Sequence, residues 1–295
     1  MLMSLKKAAA PFILRYAAST LRSSGTSADS KDRLWRLVQR HATFLDIKTR
    51  ATIVNGMKMQ VSSRPRVEQE IFLFGEWEPL FTRYLRSISA PEGIFLDVGS
   101  NIGYFSLIAS SAFREVHAIE ASPSTSRRLK AIIADNGIDN ITVHNMAVGA
   151  HEGEIDFFQD KEQSGGSSTI KTDKNEFEAR VPVAPLEKIL QDIDWGRVRF
   201  VKVDVEGLEA PVLDSLLALR DSIHPEVEIF VEYDPLRVDT WPRIETFMAN
   251  GFTALMMQGP YDRRDYLETD RLSDLQPIEG QPEVFCDLLL RRAAP

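Results

Sequence analysis

The stretch Gly93-Ile94-Phe95-Leu96-Asp97-Val98-Gly99-Ser100-Asn101-Ile102-Gly103 constrains this chain more than any other. An apolar run of strand length gives way to a glycine-bearing turn, and a helical pattern starts near Tyr104-Phe105-Ser106-Leu107-Ile108. Strand, glycine turn and helix in that order open a doubly wound α/β sheet, with room for a ligand to approach the backbone at the strand's carboxyl end. The free N–H groups of the following helix suit a negatively charged group. A second apolar run, Glu115-Val116-His117-Ala118-Ile119, ends in Glu120, 23 positions after Asp97. An acid at the tip of the second strand is where the hydroxyls of a nucleotide ribose are held. Together the two features point to a cofactor built on adenosine.

The turn separates two such cofactors. A dinucleotide pyrophosphate needs three glycines in the pattern G-x-G-x-x-G, whereas here Asn101 takes the second glycine's place and Asp97 precedes the first. A carboxylate at that point repels a pyrophosphate and attracts an ammonium group. S-adenosylmethionine carries an ammonium, a carboxylate, an adenosine and a reactive sulfonium, and is favoured over NAD.

Four segments carry a family resemblance: Asp97-Val98-Gly99-Ser100-Asn101-Ile102-Gly103, Ala118-Ile119-Glu120-Ala121, Asn145-Met146-Ala147-Val148-Gly149, and Val201-Lys202-Val203-Asp204-Val205-Glu206-Gly207-Leu208-Glu209. They resemble the FkbM-type methyltransferases, as does the entry segment Gly75-Glu76-Trp77-Glu78-Pro79. The resemblance runs over roughly residues 50–255, and its most specific piece is K-x-D-V-E-G-x-E after a strand. It implies a class I, Rossmann-like methyltransferase fold with a mostly parallel seven-stranded sheet. It also implies O-methylation of a sugar or secondary-metabolite hydroxyl, with S-adenosylmethionine as donor. Ser100 departs from the commoner alanine, and Ala121-Ser122-Pro123 replaces a more usual Glu-Pro pair.

Roles follow for the cofactor residues. Asp97 is expected to hold the methionine ammonium, directly or through water, and Gly99 and Gly103 to admit the ligand, with Ser100 and Asn101 completing the turn. Glu120 would accept both ribose hydroxyls, while Asn145, Met146 and Ala147 at the third strand's tip would flank the adenine or simply close a turn. Glu78, by the resemblance alone, would close the cofactor cleft.

Asp204, Glu206 and Glu209 follow the fourth core strand, and Glu232 ends the fifth, Val227-Glu228-Ile229-Phe230-Val231. Adjacent strands lie about 4.8 Å apart, so acids at their tips converge on one cleft. Asp204, Glu206 or Glu232 can serve as a general base for the acceptor hydroxyl. The acids can instead bind a divalent cation that acidifies the acceptor. A third reading has them orient loops and favour the start of the helix over 207–218 through its dipole. Lys202 shares a face with Asp204 by strand alternation and reads as its ion-pair partner. The five histidines, among them His144 and His224, read as structural. Loss of turnover, leaving a protein that only binds S-adenosylmethionine, is the alternative to an enzyme.

Composition narrows the rest. A net charge of −8 disfavours a nucleic-acid substrate, leaving a small molecule or glycan as partner. The single cysteine, Cys286, permits neither an internal disulfide nor a cysteine-built zinc site, and its apolar surroundings suggest a buried thiol. Residues 1–24 hold Lys6, Lys7, Arg15 and Arg22 among alanines and serines, as a presequence does, but Pro11 breaks the apolar stretch. A basic amphipathic helix packed on the domain, or a loose arm, is the preferred reading. No apolar run approaches the roughly 18 residues of a membrane span, so a cytoplasmic protein is expected.

The expected organisation is an N-terminal extension over 1–50 and a methyltransferase domain over 51–295, its family-like core at about 78–255. A linker at 23–27 precedes a helix over 31–42, and Asn55-Gly56 marks a hairpin between strands at 51–54 and 58–61. A helix over 79–89 leads into alternating strands and helices: 94–98, helix 103–112, 115–119, helix 123–136, 141–145, and strands at 153–158, 198–203, 226–232, 252–257 and 283–291. The acceptor is expected to meet the segment before residue 50, a loop over 159–180, and the stretch 258–281 with Tyr261, Arg263, Arg264 and Tyr266.

Overall fold

The computed structural model describes residues 2–42, 47–160, 175–205, 207–257, 263–268 and 274–292. Helices α1 (Leu2–Arg22) and α2 (Ala28–Ala42) precede the hairpin β1 (Lys48–Thr52) and β2 (Lys58–Ser62). Helices α3 (Arg66–Phe74) and α4 (Pro79–Ser87) then lead into the core. Its first half is β3 (Ala90–Val98), α5 (Tyr104–Ala109), β4 (Phe113–Ile119), α6 (Pro123–Asn136), β5 (Ile141–His144), β6 (Ala147–Val148), β7 (Gly153–Asp160) and β8 (Asn175–Ala184). The second half is α7 (Leu186–Ile189), a 3-10 turn at Trp195–Arg197, β9 (Val198–Val203), α8 (Glu209–Ala218), β10 (Glu228–Tyr233), α9 (Trp241–Ala249), β11 (Phe252–Met257), α10 (Arg263–Leu267), β12 (Leu275–Pro277) and β13 (Cys286–Arg292).

The main sheet runs in the order β12-β11-β13-β10-β9-β3-β4-β5. Neighbours from β5 to β10 are parallel, and β13 inserts antiparallel between β10 and β11. This is the class I, Rossmann-like arrangement expected, with one correction: the sheet has eight strands rather than seven. The extra one, β12, is a three-residue edge strand that pairs only on β11. The chain progresses one way from β3 through β4 to β5 and the other way from β9 to β10, so a crevice opens at the carboxyl ends between them.

A second correction concerns 159–180. Its described ends belong to β7 and β8, the latter the middle of a separate three-stranded sheet in the order β6-β8-β7. The alternation Phe177, Ala179, Val181, Val183 explains a strand there. The stretch 161–174, with its Ser/Gly-rich segment, lies outside the described residues, as do Glu206 and Tyr261.

Strand alternation gives the main sheet two distinct faces. Phe95, Phe200, Phe230 and Leu289 share one face, where Phe81 of α4 stacks on Phe230 with ring centroids 3.7 Å apart. Leu96, Val98, Val201, Val203 and Val231 point to the other, against Val212 and Leu213 of α8 and Ile244 and Phe247 of α9. Each such side chain, fully buried, stabilises the fold by roughly 2 kcal/mol before entropy is counted. On the phenylalanine face α1 packs its buried Leu14, Ala17, Ala18 and Leu21 into the same core as α3. Arg22, at the end of α1, donates to the carbonyls of Ile71, Phe72 and Leu73 at the carboxyl end of α3 and to Thr52 O. The basic N-terminal segment is therefore a docked helix.

Local signals place α6 well. Ser122 caps it by accepting from Thr125 N, Pro123 fills its first position, and Gly137 ends it in the left-handed conformation. Cys286 is buried on β13, and burial pushes its thiol up to about 12. His117 and His144 face each other across β4 and β5 at 3.1 Å, and burial pushes His144 down to about 4.

Candidate functional site

The crevice holds an open cleft at the carboxyl ends of β3, β4, β9 and β10. One end is built on the tips of β3 and β4. Gly99 N and Ser100 N both donate to Ile119 O, closing the turn onto β4. Asn101 adopts a left-handed backbone (φ 50°) and donates its N–H to Glu120 Oε2 at 2.8 Å. Glu120 Oε1 accepts from Ser122 N at 2.8 Å, so the carboxylate bridges the turn and the start of α6. Burial pushes Glu120 up to about 7, against the pull of these two amides. Met146 and Ala147 line the same end.

Of the residues given to the cofactor, Asn145, Gly103 and Asp97 are not among those lining the cleft. Asn145 Nδ2 donates to the carbonyls of Glu120 and Ala121, tying the tip of β5 to that of β4. A Cβ on Gly103 would meet Leu129 Cδ1 at 2.1 Å, so glycine serves the packing of α5 on α6. A Cβ on Gly99 would meet the Asp204 carbonyl oxygen at 1.7 Å. Gly99 lines the cleft, but its missing side chain makes way for the protein's own β9 loop. Asp97 sits beneath the floor, fully buried. It accepts from Ser106 Oγ at 2.6 Å and lies 3.8 Å from Lys202 Nζ. Burial raises its pKa, while Lys202 and Ser106 hold it down.

The other end stands on the tips of β9 and β10. Lys202 pairs in register with Asp97, and alternation carries Asp204 to the same face, where Lys202 Nζ donates to its Oδ2 at 2.9 Å. The expected ion pair is present. Glu232 lies one strand further along and lines the cleft with Asp204 and Lys202. Glu78 faces them from the turn before α4, in a left-handed conformation (φ 42°) that costs a residue with a side chain about 1–3 kcal/mol. Its N–H donates to Tyr266 Oη, which in turn bonds Glu70 of α3. Burial raises the Glu78 pKa well above the usual carboxylate range, reinforced by Asp287 and Asp204 and opposed by Lys202. Glu78 therefore belongs with the acidic end as placed, and not with the turn that bridges to Glu120.

Sequence reasoning missed Asp287. It is buried on β13 opposite Glu232 in the antiparallel register, and burial beside Glu232 and Asp204 raises its pKa well above normal. The signal was a lone acid inside the run Cys286-Asp287-Leu288-Leu289-Leu290. Tyr104, Trp77 and Phe157 also line the cleft and supply its apolar walls. Glu209 is used locally: it accepts from Gly207 N at 3.0 Å at the head of α8. The carboxylates converge on the Lys202 ammonium. Among the described residues no group of three His, Cys, Asp or Glu side chains has the arrangement of a metal site.

Ser100 also lines the cleft; its hydroxyl is buried and has no hydrogen-bond partner among the described residues. A buried hydroxyl without a partner costs about 1–3 kcal/mol, which an incoming polar group recovers.

The family model for the Methyltransferase FkbM domain matches residues 97–257. Comparison with curated protein sequences gives no match. Among solved structures, the FkbM methyltransferase of Methylobacillus flagellatus KT aligns over 75% of this chain and 52% of its own, at 16% identity and a TM-score of 0.42. M. jannaschii TYW2 in complex with AdoMet aligns over 83% and 87%, at 12% identity and 0.45. Streptococcus mutans SMU.1697c in complex with SAH aligns over 72% and 96%, at 8% and 0.43. At these scores the likenesses say nothing about cofactor or acceptor. The matched segment spans more than half of the chain, from the first core strand's acidic tip to the end of β11, and on that ground the chain belongs to the FkbM methyltransferase domain family.

Proposed function

We propose that this protein is an S-adenosylmethionine-dependent O-methyltransferase acting on a hydroxyl of a small molecule or glycan, with Glu78 as general base. The observation that carries the reading is the polarity of the cleft. Glu120 and the β3 turn stand at one end, while Glu78, Asp204 and Glu232 around Lys202 stand at the other. Three strand spacings, about 14 Å, separate the tips of β4 and β10. That length suits an extended nucleoside amino acid with its reacting end toward the acids.

Bound there, S-adenosylmethionine supplies an electrophilic methyl group. Glu120 would accept the ribose hydroxyls in addition to its two amide donors, since each carboxylate oxygen has two lone pairs. Ser100 Oγ would donate to the cofactor's polar tail, and Met146 and Ala147 would bracket the base. Lys202 pairs with both Asp97 and Asp204 and fixes them in place, so that Asp204 orients the acceptor hydroxyl. Glu78, desolvated and raised in pKa, receives the hydroxyl proton as the oxygen–methyl bond forms. A base with a raised pKa is the better proton acceptor near neutral pH, and the approaching positive sulfonium favours its ionised form.

The acidic end also bears on the acceptor. Three cleft carboxylates face a single lining lysine, in a chain of net charge −8. Such a surface repels a phosphate backbone and accommodates neutral hydroxyls, which supports a small polyhydroxyl acceptor over nucleic acid.

Glu78→Gln tests the base. With a panel of sugars and phenols as acceptors and labelled cofactor, kcat is expected to fall about 10²- to 10⁴-fold. Binding of S-adenosylhomocysteine in the same variant should stay within about threefold, since the amide keeps the shape of the acid. Unchanged kcat would move the base to Asp204 or Glu232. Lost binding would return Glu78 to the cofactor.

Glu120 sets the pH dependence. Burial pushes its carboxyl up to about 7 in the free protein, and ribose hydroxyls donate more strongly to the ionised form. Binding therefore releases a proton below that pH, and S-adenosylhomocysteine affinity should fall by up to about tenfold per unit as pH drops from 7. It should level off above pH 8. Calorimetry in buffers of different ionisation enthalpy reads the proton release directly, and a flat profile from pH 5 to 8 would remove Glu120 from the ribose.

A further inference from the structure

Helix α1 has two apolar faces, and the fold uses only one. Leu14, Ala17, Ala18 and Leu21 are buried in the core shared with α3. On the opposite side Phe12, Ile13 and Tyr16 stand 75%, 61% and 75% exposed. At 100° per residue, Phe12 and Tyr16 lie one turn apart and point directly away from the core-facing stripe. Single exposed apolar residues are ordinary, but two aromatics and an isoleucine on one outward face of one helix form a patch with a purpose.

The charge of the same helix is as selective. Its 21 residues contain Lys6, Lys7, Arg15 and Arg22 and no acid, in a chain whose net charge is −8. Arg22 is committed to the α3 carbonyls, whereas Arg15, next to Tyr16, is exposed. A basic helix bearing outward aromatics matches one partner chemistry closely. Aromatic rings settle at the headgroup level of a bilayer, and the exposed Arg15 beside Tyr16 can pair with anionic lipid. No described helix is long and apolar enough to cross a membrane, so α1 would lie along the surface while its other face stays on the domain.

We propose that α1 is a peripheral membrane-binding element that docks the enzyme on anionic lipid through Phe12, Ile13 and Tyr16. The proposal is independent of the methyltransferase reading, because it uses neither the cleft nor its ligands. Combined with that reading, it brings the domain to the surface where lipid-borne hydroxyls are found.

The test is co-sedimentation of the full chain with vesicles of phosphatidylcholine containing about a third phosphatidylglycerol, against phosphatidylcholine alone. Binding to the anionic vesicles is expected, with little to the neutral ones and a marked loss in high salt. The double variant Phe12→Ser, Tyr16→Ser should bind the anionic vesicles about tenfold more weakly. Its melting temperature and S-adenosylhomocysteine affinity should match the wild type, since both side chains face solvent. Equal sedimentation with both vesicle types, or a double variant that binds as the wild type does, overturns the proposal. So does a concentration-dependent dimer, abolished by the same variant without any vesicle binding, which would mean that a second copy covers this face.

Discussion

Replacing Glu120 by alanine is expected to weaken S-adenosylhomocysteine binding about a hundredfold, the largest single-residue effect on the proposed cofactor site. The carboxylate has two tasks. It holds Asn101 N and Ser122 N, each at 2.8 Å, and it faces the cleft where ribose hydroxyls would lie. Alanine removes the ribose partner and strands both amides, so the turn loses its pre-set shape as well. Hydrogen bonds to a charged group are worth about 1.5–3 kcal/mol each, and two of them at the lower end of that range give roughly the hundredfold figure. Glu120→Gln keeps one accepting oxygen and should lose only about tenfold, while abolishing the pH dependence below 7. Calorimetric titration of the three proteins checks the order. Wild-type affinity in the alanine variant would mean that the nucleoside does not sit against β4.

Gly99→Ala is expected to destabilise the fold by more than about 4 kcal/mol, or to prevent recovery of soluble protein. The left-handed backbone (φ 80°) costs alanine about 1 kcal/mol by itself. The larger effect is steric: the new methyl would lie 1.7 Å from the Asp204 carbonyl oxygen, a backbone atom that no rotamer change can move. Gly137 is the internal control. It has a similar φ of 65° but open space around its Cβ position, so Gly137→Ala should cost only about 1 kcal/mol. Urea unfolding of the two variants separates strain from collision, and equal midpoints would show that the β3 turn yields to accommodate a methyl.

Much of the architecture follows from local pattern, because local pattern is what sets it. Ser122, Pro123 and Gly137 bound α6 by capping chemistry that needs no tertiary knowledge. Lys202 and Asp204 are two residues apart on a strand, so their ion pair is a consequence of alternation. Glu120 is legible because a strand's end is a fixed place in this fold. The acidic end of the cleft is harder to read. Asp287 comes to Glu232 only because β13 inserts antiparallel beside β10, a pairing across more than fifty residues that no window of sequence contains. The orientation of Glu78 depends on a left-handed backbone that glutamate rarely adopts, held by Tyr266 from the far end of the chain. The roles of Gly99 and Gly103 also shift for a tertiary reason: the atoms that exclude a Cβ belong to the β9 loop and to α6.

The hydrogen bonds of Arg22 connect the extension to the proposed chemistry. That guanidinium holds the carboxyl end of α3, α3 carries Glu70, Glu70 bonds Tyr266, and Tyr266 holds the backbone of Glu78. The first helix is thus mechanically in series with the proposed base, although it lies outside the segment that defines the family. A chain shortened past Arg22 would keep every cleft residue yet lose the anchor that keeps Glu78 in its strained conformation. Chimaeras and homologous grafts of this domain should therefore be cut ahead of α1 if Glu78 is to keep its backbone conformation.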